Sequence, residues 1–286
     1  VQQSPFPSSW QGELHLAYAQ KNDETQVVRA YAKAPFKVQR PFYPEGRDIC
    51  HTVTLHTAGG VVGGDQLHQT VELHENSRAL ITTAAAAKVY RSNGQLARQT
   101  VKLQIEPGAY LEWLPQETIL FNGAIYQQDI RVELAPGGSF CAWDIARLGR
   151  SARGETFLHG DWRSRLEVWQ QGTPLWIDRQ RLLASEELWF ATNGLAEFPL
   201  VATLLYLGCP VSPETVEQAR QLWEQTASPL NGLSGQAGVT QTQNQGLLCR
   251  YRGRSTAEVK NWFIEIWKVL RLSHLQRPAR KLRVWP

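Results

Sequence analysis

Residues Val71 to Thr83 read VELHENSRALITT, two short alternating apolar runs on either side of a turn-forming cluster. Val71-x-Leu73 returns as Val101-x-Leu103 and again as Val132-x-Leu134. Each copy is followed by a turn rich in Asn, Gly or Pro (HENSR, IEPG, LAPGG) and then by a second strand-like run (ALITT, AYLEWL, SFCAWD). A strand, turn, strand unit recurring about every thirty residues cannot bury its apolar face alone, and stacking the copies closes a continuous core. A looser fourth copy spans Leu166 to Ile177 around Gln171-Gly172-Thr173-Pro174. The pattern predicts a mainly β protein with a layered or solenoid-like, β-helix-like body over about residues 11–210. Aligning Ala79, Ala109 and Ser139 puts Thr82 and Glu112 at matching places and Asp144 on the same side of its strand. A polar column through the layers is therefore expected.

Helical spacing is confined to the C-terminal part, about residues 211–286, where two α-helices are predicted. Ser212-Pro213-Glu214 sets a cap and a first-turn proline before Val216, Ala219, Leu222 and Trp223. Ser255-Thr256-Ala257-Glu258 is a capping box ahead of Val259, Trp262, Phe263, Ile266 and Leu270, and Pro278 closes that segment. Between them, Asn231 to Gly246 reads as a mobile loop or a hairpin. The whole of residues 11–286 reads as a single domain behind a flexible N-terminus of residues 1–10.

Composition is that of an ordinary folded chain: 286 residues, 42% hydrophobic and 20% charged. No apolar run is long enough to cross a bilayer, and no signal peptide is evident, so a cytoplasmic protein without membrane contact is expected. The net charge of +4 is modest, and the basic residues, gathered around Arg147 to Arg165 and Arg277 to Arg283, fall short of the dense stripe with exposed aromatics that nucleic-acid binding calls for. Cys50, Cys141, Cys209 and Cys249 contain no C-x-x-C pair, which speaks against a thiolate metal cage and for four buried thiols.

HTAGGVVGGDQ, residues His56 to Gln66, resembles a phosphate-binding loop only in its glycines. Gly64 is followed by Asp65 and Gln66 where lysine and a hydroxyl would be needed, and Leu67 to Leu73 alternate where a helix should begin. Gly59, Gly60, Gly63 and Gly64 instead fit a tight turn between strands. Glu112 and Glu117 invite the alternative of a carbohydrate-active hydrolase, helped by eleven Trp residues. Extended chain sets these carboxylates roughly 16 Å apart on opposite faces, too far for a glycosidase pair. Lys88 and Arg91, beside the small-residue run TTAAAA, are placed to pair with Glu112, Glu117 or a partner protein. His56, with Cys50, His51, Asp65, His68 and His74, forms the densest set of metal-ligand types, and it suits a weak, exchangeable site for a divalent ion such as nickel.

HTAGGVVGGD (56–65), TTAAAAKVYRS (82–92), LEWLPQETILFNGA (111–124) and LGRSARGE (148–155) occur in this order and at these separations. Together they resemble the UreD (UreH) family of urease accessory proteins, over a span from about Gly12 to the terminal RVWP. Gly59, Gly60, Gly63, Gly64, Lys88, Tyr90, Arg91, Glu117, Gly149 and Arg150 carry the motifs. The resemblance implies a non-enzymatic metallochaperone scaffold. It would bind UreF, the GTPase UreG through UreF, and apo-urease, would hold no permanent cofactor, and would pass nickel transiently through an internal polar passage. Carried onto this sequence, the passage would be lined by Asp65, Thr82, Thr83, Glu112, Asp144 and Asp178, with His56 as a further metal contact.

Overall fold

The computed structural model describes residues 9–226 and 235–285. Its strands begin β1 (Gln11–Lys21), β2 (Glu24–Lys33), β3 (Phe36–Val38), β4 (Ile49–His56), β5 (Gln66–Leu73) and β6 (Arg78–Thr83). They continue β7 (Ala87–Val89), β8 (Ala97–Ile105), β9 (Tyr110–Trp113), β10 (Thr118–Leu120), β11 (Ile125–Leu134) and β12 (Ser139–Leu148). The remainder is β13 (Asp161–Gln170), β14 (Thr173–Leu183), a short α1 (Glu186–Phe190), β15 (Leu200–Leu207), α2 (Pro213–Thr226), β16 (Gln236–Gln241), β17 (Leu247–Gly253) and α3 (Thr256–Leu275).

The repeat becomes a flattened parallel coil. β1, β5, β8, β11 and β13 stack side by side in a seven-stranded sheet, and β4, β6, β9 and β12 do the same in a ten-stranded sheet facing it. Each turn after a Val-x-Leu strand carries the chain across to the opposite layer. Antiparallel strands close the stack. β2 and β14 flank the first sheet, while β3 at one edge and β15, β17 and β16 at the other extend the second. Leu16, Val71, Leu103 and Val132 from one layer and Ala79, Leu111 and Phe140 from the other belong to the core between the sheets.

The fourth copy departs from the expectation. Leu166 does stack beside Ile130, but Gln171-Gly172 turns the chain back as the β13–β14 hairpin within the same sheet. Gln171 takes φ +50° there and Gly172 φ +79°, so the tight turn replaces a crossover. The segment after Asn231 is a hairpin from β16 onward; residues 231–234 lie outside the described residues. So do residues 1–8 of the expected loose terminus, but Trp10 is fixed, its backbone N–H donating to Asp65 Oδ1 at 2.8 Å.

α3 lies on the outer face of the ten-stranded sheet. Ser255 Oγ accepts the Glu258 N–H at 3.2 Å, which is half of the capping box. The Glu258 carboxylate does not turn back to Ser255 but accepts the Tyr251 hydroxyl at 2.6 Å. Trp262, Phe263, Ile266, Trp267 and Leu270 are buried against Leu80, Tyr110, Trp143 and Ile145, a second core distinct from that between the sheets. Each such side chain contributes about 1.5–3 kcal/mol of burial. α1, which has no helical stripe in sequence, is one turn capped by Ser185 Oγ.

Candidate functional site

The two faces of the ten-stranded sheet carry different chemistry. On the inner face Asp144 of β12 points between the layers, where its Oδ2 accepts from Ser164 Oγ at 3.0 Å and Gln128 Nε2 at 3.3 Å. Burial pushes the Asp144 carboxyl above its ordinary value, the nearby Asp178 charge adds to this, and the two hydrogen bonds oppose it. Asp178 of β14 lies on the facing sheet, its Oδ2 accepting from Gln180 Nε2 at 3.1 Å and paired with Arg250 at 2.9 Å.

Two cavities share Asp144 in their walls. The larger, about 150 Å³, is lined by His56, Gln69, Thr83, the alanines 84–87, Lys88 and Gln128. The smaller, about 20 Å³, is lined by Ser164, Asp178, Gln180 and Thr203. Trp113, Ile130 and Trp143 bound both. His56 stands in the wall of the larger cavity with a buried Nε2 that has no hydrogen-bond partner. Burial depresses its imidazole, against the pull of the Asp65 charge. Among the described residues no three His, Cys, Asp or Glu side chains converge at metal-binding spacing.

On the outer face, Glu112 is wholly enclosed. Arg271 of α3 donates through Nε to Glu112 Oε1 at 2.8 Å and through a second nitrogen to Oε2, and Tyr110 and Trp267 donate to Oε1 at 2.8 and 2.6 Å. Arg271 also donates to Glu45 Oε2 at 2.6 Å. Glu45 Oε1 lies 2.9 Å from His51 Nε2, close enough for an ion pair but poorly aligned for a hydrogen bond. Burial alone would raise the Glu45 carboxyl, yet His51 and Arg271 hold it below its ordinary value.

The expected polar column therefore does not form. Glu112 stands beside Leu80 and Cys141 in the registered coils, and Thr82 shares that outer face, donating to the Leu114 carbonyl at 2.6 Å and accepting from Trp285 Nε1 at 3.1 Å. Asp144 has the other parity. Asp65 is also elsewhere: fully buried in its loop, it accepts the Trp10 and Val62 N–H groups. Thr83, Asp144 and Asp178, with His56, are the predicted passage residues that the cavities bring together.

Lys88 and Arg91 do not pair with Glu112 or Glu117. Glu117 pairs with Lys260 of α3 at 2.5 Å, Lys88 lines the larger cavity, and the Arg91 side chain covers Gly123. Neither Glu112 nor Glu117 lines either of these two cavities, and each is paired with its own cation, so the two do not face one another as a glycosidase pair. Gly59 and Gly64 have positive φ; Gly60 does not, but any Cβ there would meet the Tyr90 ring and the Lys88 carbonyl. Gly63 is likewise crowded, by Ser92 and Gln95. Gly149 has φ +87° against the Glu155 carbonyl, and Arg150 pairs with Glu155 while lying over the Phe121 ring. Three of the four free thiols are buried; Cys209 is half-exposed, 3.2 Å from His274 Nδ1.

Sequence reasoning set His51 only among the metal-ligand types and missed Glu45, Arg271 and Lys260. The last two had a signal: Arg271 follows Trp267 by one helical turn, and Lys260 precedes Phe263 and Ile264 on the same stripe, so both interrupt an otherwise apolar face.

A stack of parallel coils capped by hairpins, with carboxylates and amides lining interior cavities and a helix packed on its back, defines a solenoid-like β protein. Residues 11–286 match the family described as UreD urease accessory protein, and the chain belongs to that family. It is 55% identical over 282 residues to a protein named urease accessory protein UreD from Nostoc punctiforme, covering 99% of this chain and 98% of the relative. Proteins of the same name from Acaryochloris marina (51% identical; 98% of this chain and 96% of the relative) and Synechocystis (42%; 91% and 95%) are similar along nearly their whole length.

Proposed function

We propose that this chain is a non-enzymatic scaffold and metallochaperone of urease maturation. It binds the urease apoprotein and UreF, and through UreF the GTPase UreG, and it passes nickel along its interior polar cleft in the cytoplasm without keeping a permanent cofactor. The observation that carries the reading is the pair of adjoining cavities that share Asp144 and are walled by Thr83, Gln128, Ser164 and Asp178. Carboxylate, amide and hydroxyl oxygens attract a divalent ion, and with no thiolate among them and no three-ligand cluster they release it again. His56 supplies an unpartnered imidazole nitrogen at the wall of the larger cavity, suited to borderline ions. Glu112, Thr82 and Asp65 have no part in the route, because each is consumed in a packed structural contact.

The test is the Asp144→Asn, Asp178→Asn double variant assembled with UreF, UreG and apo-urease. An intact complex that delivers less nickel to urease is expected; full nickel content in an intact complex sinks the reading.

A further inference from the structure

Asp144 on β12 is opposite Thr203 on β15, Thr203 is opposite Arg250 on β17, and Arg250 is opposite Gly238 on the edge strand β16. This cross-strand row runs from the interior cavities to a groove of about 290 Å³ lined by Gln180, Thr203, Gly238 and Arg250. Gln180 and Thr203 border both the groove and the smaller cavity. Among the described residues nothing lies within 4 Å of a Cβ on Gly238, so none of them covers the edge beside Arg250 there.

The Arg250 guanidinium stands at that boundary. One nitrogen lies 2.9 Å from Asp178 Oδ2, and another donates to Thr203 Oγ1 at 3.3 Å. Its side chain is 41% exposed and that of Asp178 only 11%, so the cation comes from the solvent side and covers an inward carboxylate. A partly exposed pair of this kind contributes little to stability, and an arginine held by one carboxylate and one hydroxyl can swing outward without breaking a strand pairing. A divalent cation and a guanidinium compete for the same Asp178 oxygen, because like charges a few ångströms apart repel strongly in a half-buried site.

We propose that Arg250 is a displaceable latch on a β16-side mouth of the cleft, capping Asp178 so that a divalent cation binds there only when the guanidinium moves away. Its use in nickel transfer rests on the passage reading above; the latch itself is tested without it. Nickel chloride is titrated by calorimetry into the full chain carrying Arg250→Gln. At least about tenfold tighter nickel binding than in the unsubstituted chain is expected, lost again when Asp178→Asn is added, with the melting temperature changed by only a few degrees. Arg250→Lys keeps the charge but cannot reach Asp178 and Thr203 together, so an intermediate gain is expected, and it serves as the probe if the Gln variant does not fold. Unchanged nickel affinity in the folded variants, or a gain that survives Asp178→Asn, overturns the latch. Nickel loading of urease by the Asp144→Asn, Asp178→Asn variant reports separately on the passage, so failure of the one is distinguishable from failure of the other.

Discussion

Arg271 of α3 grips Glu112 of β9 through two guanidinium nitrogens, with side-chain exposures of 0% and 1%. The residue that sequence parity joined to Asp144 is thus the anchor of a helix. Removing one member of such a pair strands the other charge in the core, at about 3–5 kcal/mol. Glu112→Ala and Arg271→Met are each expected to lower the melting temperature sharply or abolish soluble expression, whereas the Glu112→Ala, Arg271→Met double variant recovers part of the loss. Thermal unfolding of the three chains checks this; a Glu112→Ala chain as stable as the parent would show the pair to be idle.

Asp144 behaves oppositely. Its native pKa is raised above the ordinary 3.8, so the folded state binds the proton more tightly than the unfolded one. Between 3.8 and the native value, stability falls as pH rises, and above the native value the full penalty remains. Asp144→Asn is therefore expected to match the parent near pH 3.5 and to become relatively more stable as pH rises from about 4 through the native value. Denaturant midpoints for both chains across pH 3.5–7.5 would show it; a difference that is flat with pH, or that favours the parent at neutrality, contradicts the assignment.

Phe263 is fully buried and stacks on Trp143 at 6.3 Å between ring centroids. The face of α3 to which it belongs is committed to the β body. Phe263→Asp places an unpaired charge in that core and is expected to leave no soluble protein, while Phe263→Leu is expected to cost about 1–2 kcal/mol. Solubility and melting temperature decide; a folded Asp variant would mean that the helix lifts off the sheet.

Gly60 ties two of the sequence motifs together, since a side chain there would enter the space of the Tyr90 ring and the Lys88 carbonyl. Gly60→Ala is expected to cost about 1–3 kcal/mol. The cost should shrink in a Tyr90→Ala background, where only the backbone contact remains. A double-mutant cycle measures this, and additivity of the two changes would rule out the contact.

The coil was legible in the Val-x-Leu repeat because alternation and turn residues are local properties. Its register was not. Ala79 stacks beside Leu111 rather than Ala109, and Leu111 beside Phe140 rather than Cys141. The displacement is two residues at the first step and one at the third strand. A shift of two keeps every side chain on its face, so Val71, Leu103 and Val132 still point inward. A shift of one exchanges the faces, and this sent Asp144 inward while Glu112 stayed outward. Turn lengths set those shifts, and a repeat read by eye averages over them. Thr83 and Asp178 were reached through motif resemblance, and Asp144 through strand parity as well. Their polar companions Gln128 and Ser164, and the clamp from Glu45 to Arg271, depend on long-range pairings that no local spacing encodes.

The one-dimensional stacking of coils also bears on how the molecule breathes. Each interior strand of the seven-stranded sheet is held by a neighbour on either side and the edge strands by one only, so protection of amides from solvent exchange should decline from β8 in the middle toward β2 and β14 at the margins. The rim strands β14 and β16, which flank the Arg250 groove, can then open and reclose on their own, while the central coils and the helix bolted behind them stay shut.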